Sequence, residues 1–191
     1  MDVRDTDLDF LRNFKKYFNR YPNSGSLCHK RPLAIAMGRM TRMFPECYEF
    51  SPPTFLYPEE GKALKKYMKD HSGATYLVKT SSGSAGEGII LINDLREIPE
   101  FLLSKDVIIQ RYLANPLLLK GKKFDLRVYV VFARLNPLEV YLCDEGLARF
   151  CTLDYEKPTK KNMKDHYRHL TNYSLNKMSQ DYVKPDAHSI L

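Results

Sequence analysis

The sequence predicts an α+β fold, with helices first and antiparallel strands after them. Two observations carry that expectation. Up to about residue 70, apolar side chains recur at helical spacing. From about residue 75 to 152, short runs rich in Val, Ile, Tyr and Phe alternate with turn-forming residues.

The elements follow in order. Residues 7–18 place Leu8, Leu11, Phe14 and Phe18 on one helical face. Tyr21, Pro22, Asn23, Ser24, Gly25 and Ser26 then end that helix with turn formers. A second helix is predicted over 32–43, where Pro32 suits a first turn because its missing N–H costs nothing there. Residues 50–55 must be extended, since Pro52 and Pro53 forbid helix. A third helix is predicted over 58–69, with Glu59 and Glu60 at its start and lysines at its end. Strands are expected over 75–79, 88–92 and 107–110. A hairpin of 124–133 with 138–142 turns across Asn136 and Pro137, and a short strand lies within 146–152. From Asp154 onward the chain is polar and lysine-rich. There are no internal repeats and no low-complexity tract.

Composition narrows the classes. A chain of 191 residues forms one or two small domains, and 43% hydrophobic residues suffice for a core. No apolar run approaches the roughly 20 residues that span a bilayer, so no membrane partner is expected. The start, Met1-Asp2-Val3-Arg4-Asp5, does not read as a secretory signal. Cys28, Cys47, Cys143 and Cys151 are scattered with no Cys-x-x-Cys pair. Neither a zinc site nor a disulfide framework is expected, and reduced cysteines fit a cytoplasmic protein. The net charge of +7 points to an acidic partner, or only to solubility. Nucleic acid is not expected, because there is no Cys/His finger and no aromatic-rich RNP-type strand.

Several segments carry chemistry. Lys79 ends a strand and is followed by the Gly- and Ser-rich loop 80–87. Small residues there let backbone N–H groups approach a phosphate. The loop is no Walker motif and no Rossmann fingerprint; it reads as a hairpin folding over a nucleotide, or as an ordinary flexible loop. Gln110, Arg111, Tyr112 and Leu113 follow an apolar strand and offer an amide, backbone groups and an apolar wall for a nucleobase. In the segment 123–132, Lys123, Asp125, Arg127 and Tyr129 share one strand face. Phe124, Leu126, Val128 and Val130 share the other, expected to face a core. The charged face suits a phosphate, or only a local Asp125–Arg127 salt bridge. Arg149 is one charge in an apolar-leaning segment, where Arg commonly forks a carboxylate. Residues 169–174 offer hydroxyls and an amide. No Ser/His/Asp or Cys/His triad stands out, and His-Glu-x-x-His is absent.

Together these segments resemble the tubulin–tyrosine-ligase-like family of ATP-grasp amino-acid ligases. The carriers are Val78-Lys79 with its loop to Gly88-Ile89, Gln110-Arg111-Tyr112, Lys123-Phe124-Asp125-Leu126-Arg127, Glu145-Gly146-Leu147-Ala148-Arg149-Phe150, and the run 169–177. Residues 45–60 resemble the stretch that precedes the family's nucleotide loop. Five motifs in order over residues 21–177 make the likeness specific. Two positions depart from it: Thr80 replaces a common proline, and Ala85 a common glutamine.

The resemblance implies an ATP-grasp-like fold, incomplete at the C-terminus. Residues 1–70 would be the N-terminal helical part, 71–115 the central subdomain with the nucleotide loop, and 116–191 the start of the C-terminal subdomain. It implies that Lys79 and Lys123 bind ATP phosphates and that Ala85 and Gly86 lie in the loop over them. Gln110, Arg111, Tyr112 and Leu113 would line the adenine site, and Asp125, Thr171 and Asn172 would also meet ATP. Arg149 would hold the incoming amino acid, with Tyr173 and Ser174 beside it and Arg127 at the same cleft. Both arginines are expected to be catalytic. Mg²⁺ is implied as well, with its carboxylate ligands expected beyond Leu191. The expected activity is ligation of an amino acid, glutamate foremost, to acidic tubulin tails through an acyl phosphate. Lys157, Lys160, Lys161 and Lys164 are candidate docking charges. The expected place is the cytoplasmic microtubule cytoskeleton, including cilium or basal body. The alternatives are a ligase for tyrosine or glycine, and a nucleotide- or microtubule-binding fragment without catalysis.

Overall fold

The computed structural model describes residues 21, 28–81, 88–103 and 105–184. The helix expected over 7–18 and most of the Gly-rich loop lie outside them. The described residues form a mixed α/β structure with antiparallel sheets. Contacts divide the chain into two units, 1–82 with 93–112, and 83–92 with 113–191.

The first unit opens with helix α1 (Lys30–Met43) and the short α2 (Pro45–Tyr48), which carries Pro45 in its first turn. Strand β1 (Thr54–Tyr57) follows the two prolines that forbade helix. Helix α3 (Gly61–Asp70) starts three residues later than expected. The reason is Glu60, which folds back on β1: its carboxylate accepts the Leu56 N–H at 2.7 Å and its own N–H meets the Leu56 carbonyl at 2.7 Å. Glu59 is taken by Arg31 at 2.5 Å instead of serving the helix start.

Strands β2 (Tyr76–Thr80) and β4 (Val107–Arg111) complete this unit's sheet in the order β1-β4-β2. A short helix α4 (Glu100–Leu103) leads into β4. Register puts Tyr76, Val78 and Thr80 on one face with Arg111, Ile109 and Val107. That face is buried, and α3 packs on it: Tyr67 meets Phe55 at 5.3 Å and Tyr76 edge-on at 6.4 Å. Leu64 of α3 is fully buried, a side chain whose truncation to Ala would cost roughly 2–5 kcal/mol. The opposite face carries Thr54, Gln110 and Lys79.

The second unit contains β3 (Ile90–Ile92) and a three-stranded sheet of β5 (Leu118–Leu119), β6 (Lys122–Arg127) and β9 (Leu147–Phe150), in the order β5-β6-β9. Strands β7 (Val130–Leu135) and β8 (Leu138–Leu142) pair only with each other among the described residues, as the expected hairpin. The single strand expected over 124–133 is therefore two strands. Residues 128 and 129 change partners: β6 ladders with β9, whereas the Tyr129 carbonyl already accepts from Cys143 in the hairpin at 3.0 Å. The switch point is tight, since a Cβ on Gly146 would lie 2.7 Å from the Arg127 carbonyl oxygen. The expectation of a core behind this segment is corrected too. Phe124 stacks on Phe150, but Leu126 is 65% and Val128 51% exposed. Apolar side chains of β7 and β8 are exposed on both faces of the hairpin.

The polar region after Asp154 contains α5 (His166–His169) and α6 (Tyr173–Asn176), each too short to show a period in sequence. Met163, His169, Leu170 and Asn176 anchor it as buried side chains.

Candidate functional site

In the first unit, three strands deliver one polar row. Thr54 on β1 lies directly across from Gln110 on β4, and Lys79 on β2 lies one pair further along the same face. The Lys79 ammonium donates to Gln110 Oε1 at 2.7 Å. Gln110 Nε2 donates to Thr54 Oγ1 at 2.8 Å, and the Thr54 hydroxyl donates to the Pro52 carbonyl at 2.8 Å. Among the described residues, Lys79 forms no ion pair with a carboxylate. Burial holds its pKa below the ordinary lysine value, and the nearby Lys30 charge pushes the same way. An anion brought beside this ammonium would favour its charged form, which the neutral Gln110 amide does not compensate.

The neighbours of Gln110 part company. Arg111 points to the helix-packed face and donates to the Tyr67 hydroxyl at 3.0 Å. Tyr112 is buried, its N–H on the Thr75 carbonyl at 2.8 Å, whereas Leu113 is exposed. Ala85 and Gly86 lie outside the described residues.

The second unit gathers most of the remaining candidates. Asp125 on β6 faces Arg149 on β9 in register, and the guanidinium grips both carboxylate oxygens at 2.8 and 2.5 Å. The Thr171 hydroxyl adds a third bond to Asp125 at 2.9 Å. Lys123, two residues along the same face, donates to the His169 carbonyl at 2.9 Å. The salt bridge weighed for Asp125 with Arg127 is thus made with Arg149 instead, and Arg127 is exposed. Asn172 stands at the start of α6, where its carbonyl accepts from Asn176 N at 3.0 Å. Tyr173 is exposed and carries the Lys177 ammonium over its ring at 5.5 Å, while Ser174 is half-buried.

Sequence reasoning missed three residues that hold these candidates in place. Thr54 closes the row on β1. Asn176 is buried: its Oδ1 accepts the Thr152 N–H at 2.9 Å, and its Nδ2 donates to the Leu170 and Asn172 carbonyls at 2.7 and 3.0 Å. It therefore braces both ends of the Thr171–Asn172 segment. His169 is fully buried beside Lys123, and burial, then the Lys123 charge, lowers its pKa below the ordinary histidine value. Its run drew notice for hydroxyls and an amide rather than for the imidazole, because burial of a histidine leaves no trace in spacing.

No three His, Cys, Asp or Glu side chains gather to hold a metal ion among the described residues. They do not by themselves fit a Mg²⁺ site. No helix among the described residues is long and apolar enough to cross a membrane.

A family model described as the tubulin-tyrosine ligase family matches residues 11–189. The chain is 38% identical over 179 residues to the tubulin polyglutamylase TTLL6 of Homo sapiens, covering 94% of this chain and 20% of that protein. It is 38% identical over 184 residues to the tubulin polyglutamylase TTLL11 of Homo sapiens, covering 92% of this chain and 26% of that protein. With the tubulin polyglutamylase TTLL7 of Homo sapiens it shares 34% identity over 190 residues, 97% of this chain and 21% of that protein. The chain spans about a fifth to a quarter of the length of these curated relatives.

Proposed function

The chain belongs to the tubulin-tyrosine ligase family, and on that premise we propose that the protein carrying it is an ATP-dependent ligase that adds glutamate to tubulin. The fold that accompanies this reading is ATP-grasp. The observation that carries it is the Lys79 ammonium, half-buried and hydrogen-bonded to the Gln110 amide oxygen at 2.7 Å. A cation so placed, with no carboxylate partner among the described residues, fits a phosphate group.

In this reading the ligase joins a side-chain carboxylate to free glutamate. The carboxylate takes the γ-phosphoryl group of ATP, and the glutamate amine displaces phosphate from the resulting acyl phosphate. Lys79 and Lys123 offset negative charge on the phosphates. Gln110 and the backbone near Tyr112 and Leu113 meet the base. Asp125, Thr171 and Asn172 contact the nucleotide, and Arg149 receives the α-carboxylate of the amino acid with Tyr173 and Ser174 beside it. Arg127 adds positive charge at the reacting groups. Lys157, Lys160, Lys161 and Lys164 draw in the acidic tubulin tail. The described residues do not gather the carboxylates that would hold Mg²⁺. The place of action is the microtubule cytoskeleton.

The test is incorporation of labelled glutamate into tubulin by the gene product that carries this chain, with ATP present and absent. ATP-dependent incorporation is expected. Acceptance of tyrosine or glycine in place of glutamate would overturn the choice of amino acid, and ATP-independent or absent incorporation of all three would overturn the ligase reading.

A further inference from the structure

We propose that Thr54 is a positioning residue for the nucleotide site, holding the Gln110 side-chain amide with its oxygen toward Lys79. The functional consequence rests on the nucleotide reading above; the geometry does not.

The row Lys79, Gln110, Thr54, Pro52 runs in one direction across three strands. A lysine ammonium only donates, so the atom of Gln110 that faces it must be the carbonyl oxygen. That sends the amide nitrogen toward Thr54. The single hydroxyl proton of Thr54 is committed to the Pro52 carbonyl, so its oxygen remains an acceptor for that nitrogen. A flipped amide would set its N–H₂ against the ammonium and its oxygen against a hydroxyl oxygen with no proton to spare. Both bonds would be lost at once. Thr54 thereby selects one of two amide orientations. The ammonium spends one of its three donors on Gln110, and a ligand's oxygens can take the others. Valine has the same shape at this position but no hydroxyl, and serine keeps the hydroxyl.

The experiment uses the ¹⁵N-labelled 191-residue chain and reads the Gln110 side-chain amide by NMR. In the wild type and in Thr54→Ser, the Gln110 amide protons should exchange slowly. In Thr54→Val, exchange should speed up on the order of tenfold, and ATP affinity should fall about fivefold, the worth of one hydrogen bond. Thr54→Ser should restore affinity to within about twofold. A wild-type Gln110 amide that exchanges like a free glutamine would overturn the proposal. So would a folded Thr54→Val chain with unchanged Gln110 exchange. Should Thr54→Val fail to fold, the wild-type amide decides alone. ATP binding by none of the chains would count against the nucleotide reading, while the amide signals would still decide the role of Thr54.

Discussion

Asp125 and Arg149 stand directly opposite each other in the β6–β9 ladder, and the carboxylate takes both arms of the guanidinium fork. With the Thr171 hydroxyl, Asp125 accepts three bonds from side chains. Asp125→Asn keeps the shape but turns one acceptor into a donor facing Arg149 or Thr171. A loss of about 1–2 kcal/mol is expected, held down because the two side chains remain 37% and 25% exposed to screening water. Urea unfolding reads this as a lower midpoint at an unchanged slope. An unchanged midpoint would mean that water replaces the pair without loss.

Lys79→Met separates binding from folding. Removing the ammonium should weaken ATP binding roughly 10- to 100-fold, as a charge-assisted contact is lost. The fold should hold, because the variant buries a thioether where a desolvated charge was. The pH dependence gives a second readout. The folded chain holds the Lys79 pKa below its ordinary 10.5, so the unfolded state binds more protons in that window. The Lys79 contribution to stability therefore grows as pH rises from the lowered value toward 10.5. Lys79→Met should lack that growth in melts compared from pH 8 to pH 10.5.

His169 predicts the opposite end of the pH scale. Its folded pKa lies below the ordinary 6.5, first because it is buried and then because of Lys123. Its contribution to stability is complete above pH 6.5 and is lost as pH falls through the lowered value. The imidazole resonance of His169 should titrate below 6.5, and melting temperature should fall over the same range. Titration at or above 6.5 would contradict the burial described for this residue.

Cys151 is buried, and desolvation raises its thiol pKa from 9.0 to about 11. Native protein treated with a thiol reagent at neutral pH should label at Cys28 and Cys47, both exposed, and spare Cys151 until the chain unfolds. The thiol's contribution to stability is present below pH 9 and disappears as pH rises through about 11. Mass mapping of labelled peptides checks the first statement, and alkaline melts the second.

Asn176→Ala should be among the costlier polar substitutions. It strands the Thr152 N–H and takes a donor from the Leu170 and Asn172 carbonyls. A cost of about 2–4 kcal/mol is expected. Asn176→Asp should not rescue it, because a carboxylate presents only acceptors to those two carbonyls.

Much of this was legible beforehand where chemistry and period coincide. The strand containing Val78 and Lys79 and that containing Gln110 announce themselves by apolar runs followed by polar residues. The hairpin turning at Asn136 and Pro137 is equally plain. Less visible was the change of partner at residues 128 and 129, because Leu126, Val128 and Val130 continue a strand period without a break. Only the pairing of β6 with β9 reveals the change. The late start of α3 was hidden for another reason. Glu59 and Glu60 look like first-turn acids, yet one binds Arg31 and the other the Leu56 N–H. Among the candidate residues, type signalled Lys79, Lys123 and Arg149. Thr54 and Asn176 carry no signal in type or spacing, since what sets them apart is the set of partners that folding brings to them.

The β7–β8 ribbon has a consequence for handling the molecule. Among the described residues each strand pairs along one edge only, and both faces expose Val, Leu, Phe or Tyr. Such a ribbon is a template for adding strands from neighbouring copies. Loss of monomer should therefore rise steeply with concentration, and dilution should favour recovery of a single species on sizing columns. A charge placed outward on the hairpin, as in Val131→Lys, should move that threshold upward without touching Lys79, Asp125 or Arg149.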